Sequence, residues 1–318
     1  MRIGTYRFDC LMTTAAQVPA YKGSMLRGAF GHAFKKVCCA LRRQECTSCL
    51  LTETCPYSYV FEVHATTPAE ASGRTRVSAR PHPYTLSPPL SDNREYQAGE
   101  RFSFDLTLFG RGNDYLPHIV YAVETMGENG IGSRIGDNRG RFVLEGIEMG
   151  SQRIYDRKSR QLHRGPGLDT LTVTPNQTEN QAAMEELTIH FQTPLRLKHQ
   201  NELQDTLPFH LLIRAALRRV AILEEHYGDG EPPLDYRGLV RRAEAVRTVA
   251  SDCRWFELER YSARQKSAML LGGLTGTIRY QGALGEFLPL LRYCEQTRLG
   301  KQTTFGLGQL VVQAGDAP

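Results

Sequence analysis

The chain has 318 residues, 41% of them hydrophobic and 23% charged, with a formal net charge of +5. Those proportions exclude a membrane-embedded, collagenous or disordered chain. The length exceeds the ~100 to 200 residues usual for one core, so two domains are expected. Of the 39 basic residues only seven are lysines, which leaves 32 arginines, whose planar forks suit phosphates and base edges. The charge excess suggests an acidic partner without establishing one.

No run of ~18 apolar residues occurs, and residues 1–10 alternate charged and apolar side chains where a signal peptide would carry an apolar core. A cytoplasmic location with no membrane association is therefore expected. In that reducing compartment the eight cysteines are poor disulfide candidates.

Taken in chain order, residues 3–10 alternate as a half-buried strand does. A helix is predicted from Lys22, because Leu26, Phe30, Ala33, Phe34, Val37 and Leu41 recur at helical spacing while His32, Lys35, Lys36 and Cys39 fall on the other side. Residues 57–64 read as a strand, 68–93 as a Pro-rich loop with one short strand, and 101–108 as a strictly alternating strand. A helix at 115–126 is closed by a Gly-rich passage at 127–140, and 142–149 is a further strand. Residues 151–184 read as irregular connection. The second half is predicted to hold a strand at 187–191, a long amphipathic helix at 207–226, a further helical stretch at 235–249 and strands at 254–261 and 276–280. It ends with a helix at 283–294, a Gly-rich loop at 300–308 and a closing strand at 309–313.

Each half thus follows the βαββαβ ferredoxin-like plan. The expected architecture is α+β, with tandem ferredoxin-like (RRM-like) domains at 1–176 and 186–318 joined by a linker at 177–185. A small zinc-binding insertion is expected at about 38–56 in the first domain. Cys39, Cys46, Cys49 and Cys55 offer four thiolates with a CxxC pair at their centre, the soft tetrahedral set that zinc takes. Cys38 competes with Cys39 for the first position. Four thiolate ligands leave no open coordination position, so the zinc would be structural. The alternative is a set of buried free thiols.

Gly23, Gly28 and Gly31 lie in or beside the first helix at some cost in helix stability, and allow another backbone to approach closely. His32 shares the polar face with the lysines and could equally be a solvated surface histidine. The loop at 300–308 supplies backbone N–H groups, Thr303, Thr304 and Lys301, a combination that can cradle phosphates. It is not a Walker A loop, since the lysine directly follows the first glycine and no helix follows. Residues 195–200, with Arg196, Lys198 and His199, and residues 260–266, with Arg264, Gln265 and Lys266, mix cations, amides and an aromatic as single-stranded RNA sites do. A solvated polar face is the alternative for each.

These motifs, with residues 23–35, the cysteine cluster running into Cys55-Pro-Tyr-Ser-Tyr-Val-Phe-Glu62, residues 194–199, 209–219 and 260–266, and the terminal glycine loop, resemble the CRISPR-associated repeat-processing endoribonucleases of the RAMP superfamily. The resemblance spans nearly the whole chain. It implies metal-independent cleavage of the precursor CRISPR transcript within each repeat, with 2′-OH attack giving a 2′,3′-cyclic phosphate and a 5′-OH end. It implies no cofactor for catalysis, CRISPR repeat RNA or precursor guide RNA as partner, and other CRISPR effector subunits as further partners. A non-catalytic RAMP-type subunit that holds guide RNA in an effector complex is the alternative. Under this resemblance His32 fits the general base or acid, Lys36 one turn later stabilises phosphorane charge, Tyr21 assists, and His199 is the alternative base. The expected RNA-binding residues are Arg27, Lys35, Arg196, Lys198, His199, Arg264, Gln265, Lys266, Arg298, Lys301, Thr303 and Thr304. Arg298 stands just before the glycine loop, where many relatives carry a histidine, and it cannot act as a base.

Overall fold

The computed structural model describes residues 1–41, 44–62, 80–174, 184–200, 202–262 and 267–315. It divides into two compact units, Arg2–Thr170 and Leu171–Pro318, the latter joined by Met1. Most of the expected 177–185 linker lies outside the described residues.

The N-terminal unit begins with β1 (Arg2–Met12), α1 (Gly23–Cys38) and a short helix α2 (Pro56–Phe61). Next come β2 (Tyr84–Ser87), β3 (Arg101–Phe109), α3 (Leu116–Asn129), β4 (Phe142–Met149) and β5 (Gln152–Asp156). The sheet order β5-β4-β1-β3-β2 is antiparallel throughout, and the four strands β4-β1-β3-β2 carry the ferredoxin-like arrangement in which the first strand lies between the fourth and third. Alternate residues Tyr6, Phe8, Cys10 and Met12 of β1 point into the core, where Phe8 stacks on its cross-strand partner Phe104 with ring centroids 5.1 Å apart. Leu26, Phe30 and Phe34 of α1 complete the same core.

The C-terminal unit repeats the plan with β6 (Glu186–Leu195), a hairpin of β7 (Lys198–His199) and β8 (Glu202–Leu203), α4 (Phe209–Tyr227), α5 (Tyr236–Ala243) and β9 (Arg247–Ser251). It closes with β10 (Gly273–Gln281), α6 (Leu288–Thr297) and β11 (Leu310–Ala314). Its sheet order, β9-β10-β6-β11, is again antiparallel and again ferredoxin-like. Leu212, Ala216, Val220 and Leu223 of α4 are buried at helical spacing. Phe209, at its start, meets Tyr280 and Phe287 edge-on.

Several elements differ from the sequence expectation. Residues 57–61 are helical, not extended: Pro56 sits at the first helical position, and Tyr57 stacks on Phe61 four residues later with centroids 5.5 Å apart. His64 lies outside the described residues. The first helix ends at Cys38, leaving Leu41 beyond it and exposed. The stretch 235–249 splits, because α5 stops at Ala243 and the β-branched Thr248 and Val249 enter the exposed strand β9. The Gly-rich passage at 127–140 is the end of α3 followed by a hairpin pairing Ile131 with Gly140 and Ile135 with Asn138. The region 151–184, expected to be irregular, contributes β5 to the sheet.

Candidate RNA-binding site

In the N-terminal unit His32 and Lys36 are exposed on α1, one turn apart, and Tyr21 is half-buried just ahead of the helix. Gly28 is one turn before His32, and a β-carbon added there would meet nothing within 4 Å. Gly28, His32 and Lys36 therefore form one open stripe, with an imidazole and an ammonium below a notch. Gly31 serves a different purpose from the one expected, since a β-carbon there would lie 2.9 Å from the Phe61 ring. Its close approach is to α2.

Two expected RNA contacts on this helix face inward. Arg27 is half-buried with its guanidinium 5.6 Å from the Phe61 ring centre, and its charge opposes the rise that burial gives the Tyr84 hydroxyl, whose pKa is pushed up to about 12. Lys35 holds its ammonium 5.3 Å over the Tyr57 ring. Lys22 is also buried, donating to the carbonyls of Ala20 at 3.1 Å and Ser91 at 2.7 Å.

The cysteines are unoxidised and, apart from Cys10 and Cys294, only partly buried. Burial pushes the Cys38 thiol up to about 12, with Cys55 and Cys39 adding to it, and burial likewise raises Cys46, which has Cys39 and Cys55 among its charged neighbours. The thiols are thus gathered in one neighbourhood. Among the described residues no group of three or more histidine, cysteine, aspartate or glutamate side chains stands as a ready metal site, and the zinc on Cys39, Cys46, Cys49 and Cys55 is a proposal.

In the C-terminal unit the glycine loop folds against residues 194–196. The Lys301 amide donates to the Arg196 carbonyl at 2.9 Å and the Gly308 amide to that of Pro194 at 3.0 Å. Gly300 takes a φ of +85°, and a β-carbon there would stand 2.6 Å from the Arg196 oxygen. The amides of Phe305, Gly306 and Leu307 donate within the loop, so five of its N–H groups are engaged, three inside the loop and two on residues 194–196. This corrects the expectation of a backbone phosphate cradle. Thr303 and Thr304 are buried, 8% and 6% exposed, and shape the loop from inside. Arg298 is corrected in the same way: 3% exposed, it donates to the Gly306 carbonyl at 3.0 Å and to Gln309 Oε1 at 3.1 Å.

What the loop presents is Lys301, whose side chain is exposed and whose pKa is lowered by partial burial and then by the charges of Lys198, Arg196 and Arg218. Three of the expected cations are thereby brought together, and Arg218 joins them from α4. Arg218 stands exposed on α4, and nothing local in the sequence tied it to a loop more than 80 positions away. Arg196 is anchored by donation to the Gly272 carbonyl at 2.7 Å. His199 is half-buried and pairs across its hairpin with Glu202. Arg264, Gln265 and Lys266 lie outside the described residues. No helix among the described residues is long and apolar enough to cross a membrane.

The chain thus holds two ferredoxin-like units, the second with a cationic patch beside a terminal glycine loop. Residues 189–310 match the model of the CRISPR-associated endoribonuclease Cas6, and residues 1–166 match the AF_1859_N N-terminal domain. Residues 189–310 thus form a domain of the CRISPR-associated endoribonuclease Cas6 type. An uncharacterized protein of Archaeoglobus fulgidus is 26% identical over 295 residues, covering 92% of this chain and 91% of that one. Among solved structures, Thermus thermophilus Cas6 shares the fold over 98% of both chains, with a TM-score of 0.55 at 13% identity. A chain of a partial Cas6-RT-Cas1–Cas2 complex matches 99% of this one with a TM-score of 0.58 at 12% identity, and this chain spans 46% of its length.

Proposed function

We propose that this chain binds CRISPR repeat RNA and cleaves the precursor transcript within each repeat, without a metal ion or other cofactor in the chemistry. The observation that carries the reading is the convergence of Arg196, Lys198, Arg218 and Lys301 beside the glycine loop of a Cas6 domain. Close cations of this kind hold the phosphates of a single strand and oppose the charge that builds on a phosphorane.

In the proposed reaction a base removes the proton of the 2′-OH, the O2′–P bond forms, the P–O5′ bond breaks, and an acid protonates the leaving O5′. The products are a 2′,3′-cyclic phosphate and a 5′-OH. His32 is the proposed base or acid, Lys36 the group that meets the phosphorane charge, and Tyr21 the assisting group. The open stripe from Gly28 to Lys36 supports this assignment, because an RNA backbone can approach the imidazole there. His199, beside Lys198, is the alternative base.

The second reading, a non-catalytic subunit that retains guide RNA and docks other CRISPR effector subunits, is favoured by one observation. Where the resemblance expects a histidine, Arg298 is buried and bonded to the loop. Incubation of the protein with end-labelled repeat RNA in EDTA separates the two. Cleavage to a cyclic phosphate, abolished in His32→Ala with binding retained, is the expected result. Tight binding with no cleavage would establish the subunit reading, and cleavage that survives His32→Ala would move the base to His199.

A further inference from the structure

A groove of about 510 Å³ lies between α4 and α5, entirely within the C-terminal unit. Its volume is that of a small-ligand site. Arg214 and Arg218 project from one wall at helical i,i+4 spacing, and Arg237 and Arg241 repeat that spacing on the other, all four exposed. Leu217 and Val240 give the groove apolar lining, and Tyr236 supplies an aromatic ring. Two carboxylates, Glu231 and Glu244, also line it, so its walls carry two net positive charges.

The α5 wall is fixed in place. Asp235 caps the helix by accepting from the Gly238 amide at 2.9 Å, and Arg242 clamps Glu286 through two nitrogens at 2.8 and 2.7 Å. The Tyr236 hydroxyl donates to the Pro232 carbonyl at 3.0 Å, which holds the ring. Such a preformed site loses little entropy on binding.

Paired guanidiniums suit phosphates, an aromatic ring with aliphatic neighbours suits the face of a base, and carboxylates accept from exocyclic base amines. An acidic peptide would use the arginines but offers no planar base for the ring and no exocyclic base amine for the glutamates. Arg218 belongs to this groove and also to the cluster around Lys301, where its charge is felt. The two cationic regions are therefore continuous along α4.

We propose that the α4–α5 groove is a second RNA subsite, which takes one or two unpaired nucleotides of the same strand that the glycine-loop cluster holds. It rests on the repeat-RNA reading above and extends it to a surface outside the catalytic residues. Arg214 and Arg218 contact phosphates as the strand leaves Lys301, Arg237 and Arg241 contact those of the nucleotides in the groove, and Tyr236 meets the base.

The test is a salt titration of fluorescein-labelled repeat RNA with the wild-type chain, Arg237→Ala/Arg241→Ala and Lys301→Ala, each checked by far-UV circular dichroism. Loss of two phosphate contacts on a single strand lowers the slope of log K against log salt by about 1.4, equivalent to roughly tenfold weaker binding at 0.15 M salt. That result in the arginine double variant, with 4-thiouridine crosslinks from the RNA to the 236–241 segment of the wild type, supports the subsite. An unchanged slope in the double variant while Lys301→Ala weakens binding overturns it and leaves the glycine-loop site standing. If neither variant weakens binding, the repeat-RNA reading itself has failed. If poly-glutamate binding is lost from the double variant and oligouridine binding is not, the groove is a protein-docking face and the proposal is wrong.

Discussion

Replacing His82 by glutamine should remove an acid-sensitive contribution to the stability of the N-terminal unit. The His82 Nδ1 lies 3.0 Å from the Val60 carbonyl, which can only accept, so the neutral ring carries its proton there, and the ring packs beside Tyr84. Burial pushes its pKa down from 6.5 to about 4, with the charges of Arg27 and Arg80 acting in the same direction against the Val60 hydrogen bond. The unfolded chain therefore takes up the proton first as pH falls. Stability is fully present above about pH 6.5 and is lost as pH drops towards 4. Linkage between those two values gives a loss of about 2 kcal/mol by pH 5 and about 3 kcal/mol by pH 4. These are upper limits, since part of the ring still meets solvent. The glutamine amide can still donate to Val60 but does not titrate. Urea unfolding at pH 8, 6.5 and 5, read by hydrogen exchange of α1 and β2 amides, should show the wild type converging on the variant as the medium is acidified. Parallel pH profiles for the two proteins would refute the reasoning.

Lys301→Ala should lower the salt slope of repeat-RNA binding by about 0.7, measured by fluorescence anisotropy, while leaving the melting temperature unchanged. Gly308→Ala should destabilise the C-terminal unit by at least ~1–2 kcal/mol in a denaturant melt, because Gly308 has a φ of +75° and its α-carbon faces the Leu299 carbonyl too closely for a side chain. Phe34→Ala should cost ~3–5 kcal/mol, since that ring is fully buried among Phe30 and Phe61. A structural zinc on Cys39, Cys46, Cys49 and Cys55 stands as a proposal, for which elemental analysis should give about one zinc per chain, absent from Cys46→Ser.

The duplicated ferredoxin-like plan was legible because its core strands alternate and its long helices keep an apolar stripe, as Phe102 to Leu108 and Leu212 to Leu223 do. The element at 57–61 was not, because a five-residue aromatic run satisfies both periods, and only the stacking of Tyr57 on Phe61 and of Phe61 on Gly31 decides for the helix. Edge strand β9 escaped detection for the opposite reason, since every residue in it is exposed and no face alternates. At the site, residue type identified the cations but not their direction. Arg27, Lys35 and Arg298 carry the same charge as Arg196 and Lys301, yet they turn inward onto rings and carbonyls that are distant in sequence or invisible to spacing. Arg218 was the reverse case, an unremarked helix arginine that the tertiary fold delivers to the loop.

The internal bonding of the glycine loop bears on how fast it can recognise a strand. With five amides already paired and Arg298 bridging its two ends, the loop needs no folding step when RNA arrives. Encounter should then be governed by the long-range field of Lys301 and its neighbours, which accelerates association at low ionic strength and fades within a Debye length of ~8 Å in physiological salt. Discrimination among RNAs must consequently reside in how long a strand stays, not in how quickly it is captured.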